Sequence, residues 1–229
     1  MSSRDRVLEL RRHAPVILPS LLLCDFGNLE REVRAVEEAG ARALHLDVMD
    51  GVFVDNITYG MPIIAAVRKA SELPLDVHLM IDNPIDYVDA FADAGADLLT
   101  VHVEAKNPRG ALETIRRRGL AAGLALNPAT PLESIRDLLP LCDMVLAMSV
   151  PPGFGAQPFD PVALEKLEKL RDERDAELLL EIDGGVNAGT IARCTAAGAT
   201  MLVVGSAIFK AAAPYAESLA RLNQLAGAM

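Results

Sequence analysis

Three copies of one phrase, a helix end reading Ala-Gly-Ala followed by a short apolar strand, constrain this chain more than any other feature. Glu37-Glu38-Ala39-Gly40-Ala41 leads into residues 43–47, Ala92-Asp93-Ala94-Gly95-Ala96 into 98–102, and Thr195-Ala196-Ala197-Gly198-Ala199 into 201–205. Each helix is expected to end at a glycine in the left-handed C′ position, with the strand directly behind it. Gly119, ahead of residues 122–127, is a weaker fourth copy. Seven residues beyond the first three glycines stand Asp47, His102 and Gly205. Polar or minimal side chains are out of place inside an apolar strand but suit its exit, where the C-terminal rim of a parallel barrel gathers its chemistry. Further strands are expected at 16–19, 75–80, 144–148 and 178–183. Helix starts are expected at Asn83-Pro84, at Asp160-Pro161 and at Thr130-Pro131-Leu132-Glu133, which reads as a capping box with proline at the first helical position. Eight strands alternating with helical stretches, with no linker, predict a single α/β domain over residues 1–229, a (β/α)8 TIM barrel, with 1–14 as an N-terminal arm or helix. An open doubly wound sheet is the rival arrangement.

Composition agrees. Hydrophobic residues make up 51% of the 229, yet aromatics are only 4% and Trp is absent. The core must therefore be aliphatic, which suits parallel strands buried on both faces. A formal charge of −10 argues against a nucleic-acid partner, though not against a small phosphorylated ligand held by backbone N–H groups. Cys24, Cys142 and Cys194 are odd in number and lack C-x-x-C spacing, as expected of reduced thiols in a cytoplasmic protein. The sequence has no apolar run of membrane-spanning length, and the first dozen residues lack the apolar stretch of a signal peptide.

The segment His45-Leu46-Asp47-Val48-Met49-Asp50-Gly51 carries the strongest chemical signal. Alternation along a strand puts His45, Asp47 and Met49 on one face, and likewise Asp76, His78 and Met80 in Leu75-Asp76-Val77-His78-Leu79-Met80. In a barrel that face points inward. A lone inward histidine is ordinarily a satisfied core residue. Two histidines and an aspartate converging at strand exits are better explained by a divalent cation, because unpaired buried charge is strongly disfavoured. Asp183, at the end of Glu181-Ile182-Asp183-Gly184-Gly185, is the fourth candidate ligand. Glycine-bearing loops follow three late strands, at Pro152-Gly153-Phe154-Gly155-Ala156-Gln157, Gly184-Gly185 and Gly205-Ser206. No single one is specific, but their order matches a barrel phosphate site.

Taken together, these segments resemble the ribulose-phosphate 3-epimerase family from about residue 17 to 209. The matching pieces are Pro19-Ser20, Asp25-Phe26, residues 45–51 and 76–80, Asn127-Pro128-Ala129-Thr130-Pro131, residues 152–155, Asp183-Gly184-Gly185 and Gly205-Ser206. The resemblance implies a barrel of the ribulose-phosphate-binding type. It also implies metal ligands at His45, Asp47, His78 and Asp183, with Asp47 and Asp183 as the acid/base pair. Substrate contacts are implied at Ser20, His78, Gly153, Phe154, Gly155, Ala156, Gly184, Gly185, Gly205 and Ser206. Met49, Met80 and Met148 match methionines lining the family's pocket, although core packing would explain them equally well.

The activity so implied is 3-epimerisation of D-ribulose 5-phosphate to D-xylulose 5-phosphate through an enediolate. One carboxylate removes the C3 proton and the other returns it to the opposite face. Zn fits two histidines and two aspartates best, with Fe, Mn or Co as alternatives. The expected partner is a small phosphorylated ketose, and the resemblance implies a homo-oligomer, either dimer or hexamer. Leu23 stands where the family has Ser or Ala, Cys24 where Ala is common, Pro151 for Asn, Ala156 for Gly and Asp55 for Pro. These departures leave the ligand and acid/base residues intact but bear on substrate choice. The nearest alternative is a 3-epimerase of another ketose phosphate such as allulose 6-phosphate. A phosphate-barrel decarboxylase would need a Lys that Asp47-Val48-Met49-Asp50 lacks. A non-catalytic barrel would have no need of all four candidate ligands.

Overall fold

Each Ala-Gly-Ala phrase ends its helix in the left-handed turn that its sequence demands. In the computed structural model, which describes residues 2–154, 157–173 and 177–227, Gly40, Gly95 and Gly198 take φ of 97°, 108° and 107°. The amide after each glycine reaches back five residues, as in Ala41 to Val36, Ala96 to Phe91 and Ala199 to Cys194. This is the Schellman closure that satisfies orphan helix carbonyls. Gly119 closes its helix in the same way, with Leu120 N–H on the Ile115 carbonyl.

The order is α1 (Ser3–Glu9), β1 (Val16–Pro19), α2 (Leu29–Glu38), β2 (Leu44–Met49), α3 (Met61–Ala70), β3 (Leu75–Met80), α4 (Val88–Ala94), β4 (Leu98–His102), α5 (Pro108–Arg117), β5 (Ala121–Leu126), β6 (Met144–Met148), α6 (Val162–Glu173), β7 (Leu179–Asp183), α7 (Ile191–Ala196), β8 (Met201–Val204), α8 (Ser206–Phe209) and α9 (Tyr215–Ala226). The eight strands among the described residues pair in parallel in the order β1-β8-β7-β6-β5-β4-β3-β2. One parallel bridge, Ser20 with His45, spans the remaining seam between β1 and β2. The sheet is thus a nearly closed barrel, not an open doubly wound sheet.

Two expected helix starts behave otherwise. Residues 132–135 form a single 3-10 turn with no side-chain cap, and the Thr130 side chain is turned to Glu104, to which its hydroxyl donates. Pro84–Asp86 is also a 3-10 turn, and the Asn83 amide bonds Asp86 rather than the backbone. At Asp160-Pro161 the cap forms, with Val162 N–H on Asp160 Oδ1 at 2.9 Å.

Alternation divides the strands between two environments. Outward residues such as Leu44, Leu46 and Val48 of β2 share one apolar cluster with Val33 and Val36 of α2 and Ile64 and Val67 of α3. Inward residues Val16, Leu18, Leu98, Ala121, Met144, Leu179 and Met201 form a second cluster, joined by Val7 of α1 and Leu10 just after it. These two residues close the N-terminal mouth of the barrel. Arg4, paired with Asp143 at 2.8 Å, and Arg6, paired with Asp97 at 3.2 Å, tie the same segment to that end. With its lower half apolar, the barrel collects its inward polar residues in the upper half.

Candidate active site

The site is built on the inward faces of β2, β3, β4 and β7. In the β2–β3 register, His45 lies beside Asp76, Asp47 beside His78 and Met49 beside Met80, so both triplets share one surface. His45, His78 and His102 are fully buried, and Asp47 and Asp76 almost so. Asp47 is the hub. Its Oδ2 accepts the Ser20 hydroxyl at 2.7 Å, while its Oδ1 lies 3.2 Å from both His45 Nε2 and His78 Nδ1. Its backbone N–H donates to the Tyr59 hydroxyl at 3.0 Å, and its carbonyl accepts from Thr58 Oγ1 at 2.7 Å. Below this layer, His45 Nδ1 sits 2.5 Å from Asp76 Oδ2 and 3.3 Å from Glu181 Oε1. To one side, His78 Nε2 meets His102 Nε2 at 2.8 Å, and His102 Nδ1 lies 3.1 Å from Glu104 Oε2.

Asp47 and Asp183 are one residue type in two electrostatic settings. Burial alone would raise Asp47, but His45 and His78 hold its carboxyl well below the usual carboxylate range. Asp183 lies half-buried at the end of β7, where loss of solvent and then the charge of Asp47 push it up to about 6. Burial would lower His45, but Asp47 and Asp76 together raise it well above its ordinary value. Burial brings His102 down to about 4, so its ring is neutral at pH 7. Burial is overcome at Glu104, where His102, Thr130 and the Asn127 amide hold the carboxyl near 2. Glu181 is raised well above the usual range by burial and by Asp76, and among the described residues neither of its oxygens has a well-formed hydrogen bond.

One potential ligand atom from each of His45, Asp47, His78 and Asp183 can be chosen so that all four lie within 4.8 Å of one another. Two imidazoles and two carboxylates make a donor set that suits a divalent first-row cation. Both ring nitrogens facing Asp47 have their opposite nitrogen engaged, His45 by Asp76 and His78 by His102. That outer-shell arrangement is typical of metal-binding histidines. These four residues fit the group that their sequence pattern suggests.

Above this cluster opens a cleft. Asp47, Met49, Met80, Met148, Gly153, Phe154, Asp183, Gly184, Gly185, Gly205 and Ser206 all line it. Ser20, His45 and His78 lie beneath its floor instead of on its surface. The loops after β6, β7 and β8 therefore meet at one opening; Gly155 and Ala156 lie outside the described residues. Gly185 has φ 61°, and a Cβ there would stand 2.9 Å from the Phe159 backbone. The loop after β2 braces the loop after β6 through Asn56 Nδ2 on the Gly153 carbonyl at 2.7 Å. Of the departures noted in the sequence, Leu23 lines the cleft, whereas Cys24 is buried away from it and Asp55 is exposed.

Tyr59, Glu104 and Glu181 were given no role from the sequence, Asp76 only a place on the inward face of its strand, and His102 only that of a strand exit. Asp76 and Glu181 carried a usable signal, since each lies two residues before a candidate ligand on the same strand face. Tyr59 and Glu104 stand in irregular segments, where spacing says nothing about direction.

The family model described as "Ribulose-phosphate 3 epimerase family" matches residues 16–209. A ribulose-phosphate 3-epimerase of Synechocystis sp. is 47% identical over 211 residues, covering 90% of this chain and 91% of the relative. The Mycobacterium leprae protein of the same name is 46% identical, covering 94% and 96%, and that of Bacillus subtilis is 46% identical, covering 84% and 91%. Among solved structures, 3-hexulose-6-phosphate synthase from Salmonella typhimurium superposes with a TM-score of 0.73 at 17% identity, covering 92% of this chain and 98% of that one. N-acetylmannosamine-6-phosphate 2-epimerase from Clostridium perfringens gives 0.64 at 17%, covering 87% and 89%. At such identities these two structures speak for the barrel alone.

Proposed function

The chain belongs to the ribulose-phosphate 3-epimerase family, and we propose that it interconverts D-ribulose 5-phosphate and D-xylulose 5-phosphate by proton transfer at C3 between Asp47 and Asp183. The observation that carries this reading is the pair of carboxylates, Asp47 and Asp183, that face one cleft within reach of the same bound sugar. Asp47, held low by its histidines, suits the base, and Asp183, held higher, the acid. Asp47, ionised, removes the C3 proton from one face of the ketose. Asp183 delivers a proton to the other face, and the roles exchange in reverse. The two residues project from β2 and β7, which stand three strands apart around the barrel, so a sugar between them is reached from two sides.

Ser20 orients the base through its 2.7 Å hydrogen bond to Asp47. Met49, Met80 and Met148 line the cleft with apolar surface, which limits water around the carbanionic centre. A divalent cation held by His45, Asp47, His78 and Asp183, with Zn the best match to these donors, would supply electrostatic stabilisation for the charge developing on the C2 oxygen. The phosphate is assigned to the N–H groups of the loops carrying Gly153, Gly184-Gly185 and Gly205-Ser206, which offer no cationic side chain in those segments. Leu23, in place of a small residue at the cleft wall, favours a pentose over a hexose phosphate.

The test is a coupled assay of the purified protein on ribulose 5-phosphate and allulose 6-phosphate, before and after prolonged chelation, with metal analysis of the same samples. Turnover of the pentose phosphate is expected to exceed that of the hexose phosphate, to be lost on chelation and to return with Zn, Mn, Fe or Co. Preference for the hexose phosphate would overturn the substrate assignment. Full activity in metal-free protein would overturn the role given to the four ligands.

A further inference from the structure

We propose that Glu104 is a positioning residue which, acting through His102, fixes the tautomer of His78 so that its bare Nδ1 faces Asp47. The inference rests on the reading of His78 as a cation ligand, but it concerns residues outside that ligand set.

One chain of contacts fixes where the hydrogens lie. Glu104 Oε1 already accepts the Asn127 backbone N–H at 2.8 Å and the Thr130 hydroxyl. Its Oε2 faces His102 Nδ1 at 3.1 Å. A carboxylate can only accept, so His102 carries its hydrogen on Nδ1, and because the ring is fully buried, where a second hydrogen would place a charge out of reach of water, Nε2 is left bare. That bare nitrogen stands 2.8 Å from His78 Nε2, with the two ring planes 26° apart. Two nitrogens at this distance share one hydrogen, which must therefore belong to His78 Nε2. His78 Nδ1 is then bare and lies 3.2 Å from Asp47 Oδ1, itself an acceptor. A cation between these two acceptors would satisfy both. Phe53, with its ring centroid 4.8 Å from that of His102, covers the relay. Reversing the relay would place a hydrogen on His78 Nδ1 and block the very atom that must ligate.

Glu104→Gln tests the direction of the relay. The two donors on the Oε1 side pin the amide oxygen there, which turns the NH2 toward His102. His102 should then carry its hydrogen on Nε2, and His78 its hydrogen on Nδ1. In the full-length chain treated with chelator, two-bond 1H–15N correlations of the histidine rings report His78 directly. Wild type is expected to show the Nε2–H form and Glu104→Gln the Nδ1–H form. Affinity for Zn2+, measured by competition with a chromogenic chelator, should fall about 10–100-fold in the variant, the usual effect of losing an outer-shell partner. Thr130→Val removes one grip on the loop after β5 while leaving the Oε2 contact, and should change neither readout. His102→Leu deletes the relay without altering Glu104, and His78 should then populate both tautomers. A Glu104→Gln protein that keeps the Nε2–H form and wild-type Zn2+ affinity overturns the proposal, as does a single Nε2–H form in His102→Leu. The two failures are separable. Absence of Zn2+ binding in wild type would strike the ligand reading, whereas the His78 tautomer is read in the absence of metal.

Discussion

Asp47 illustrates how one carboxylate can be given several tasks by its neighbours. Its Oδ2 is oriented by Ser20, its Oδ1 is shared by two imidazoles, and its own backbone is anchored by Tyr59 and Thr58. Asp183, removed from solvent and beside the charge of Asp47, holds its proton more readily. Replacing either by asparagine keeps the shape but removes the proton carrier and one potential ligand oxygen. Asp47→Asn and Asp183→Asn should therefore each lower kcat by at least the roughly 10²–10⁴-fold typical of losing a general acid or base. The coupled assay, run alongside Zn2+ titration, separates lost proton transfer from lost metal. An Asp183→Asn enzyme that binds Zn2+ normally and turns over at the wild-type rate would contradict a scheme with two carboxylates.

At the scale of elements, the strands and the glycines that precede them were legible because both obey local rules. A C′ glycine needs positive φ wherever it occurs, and an apolar run bounded by such glycines has few alternatives to a buried parallel strand. His45, Asp47, His78 and Asp183 were legible for the same reason, since alternation fixes which side chains point inward. The turns at residues 84–86 and 132–135 were not. Their capping side chains had better partners in three dimensions, Asp86 for Asn83 and Glu104 for Thr130. Glu104 itself was hidden, because its three partners come from β4 and from the loop after β5. Gly185 tests the loop after β7. With φ 61° and only 2.9 Å between a Cβ and the Phe159 backbone, Gly185→Ala should cost about 1–3 kcal/mol of stability. It should also raise KM for ribulose 5-phosphate more than it lowers kcat. Thermal unfolding and steady-state kinetics on the same sample check both, and an unchanged KM would remove this loop from the phosphate site.

Considered whole, the barrel separates what holds it together from what it does. Aliphatic side chains, with Val7 and Leu10, fill its N-terminal half, and the ionisable groups of the candidate site gather at the other end, where the strands deliver them from several directions. No helix among the described residues is long and apolar enough to cross a membrane. The two proposed acid/base groups reach one cleft from strands three positions apart, a spacing that only closure of the sheet can provide. The central claim is that this pair moves a proton at C3 of a pentose phosphate. It is tested most directly by incubating the enzyme with ribulose 5-phosphate in deuterated water and reading the products by NMR. The account predicts xylulose 5-phosphate carrying deuterium at C3, with wash-in at that carbon and no other, and loss of the exchange in Asp47→Asn. Epimerisation without deuterium at C3, or exchange at C1 in its place, would contradict it.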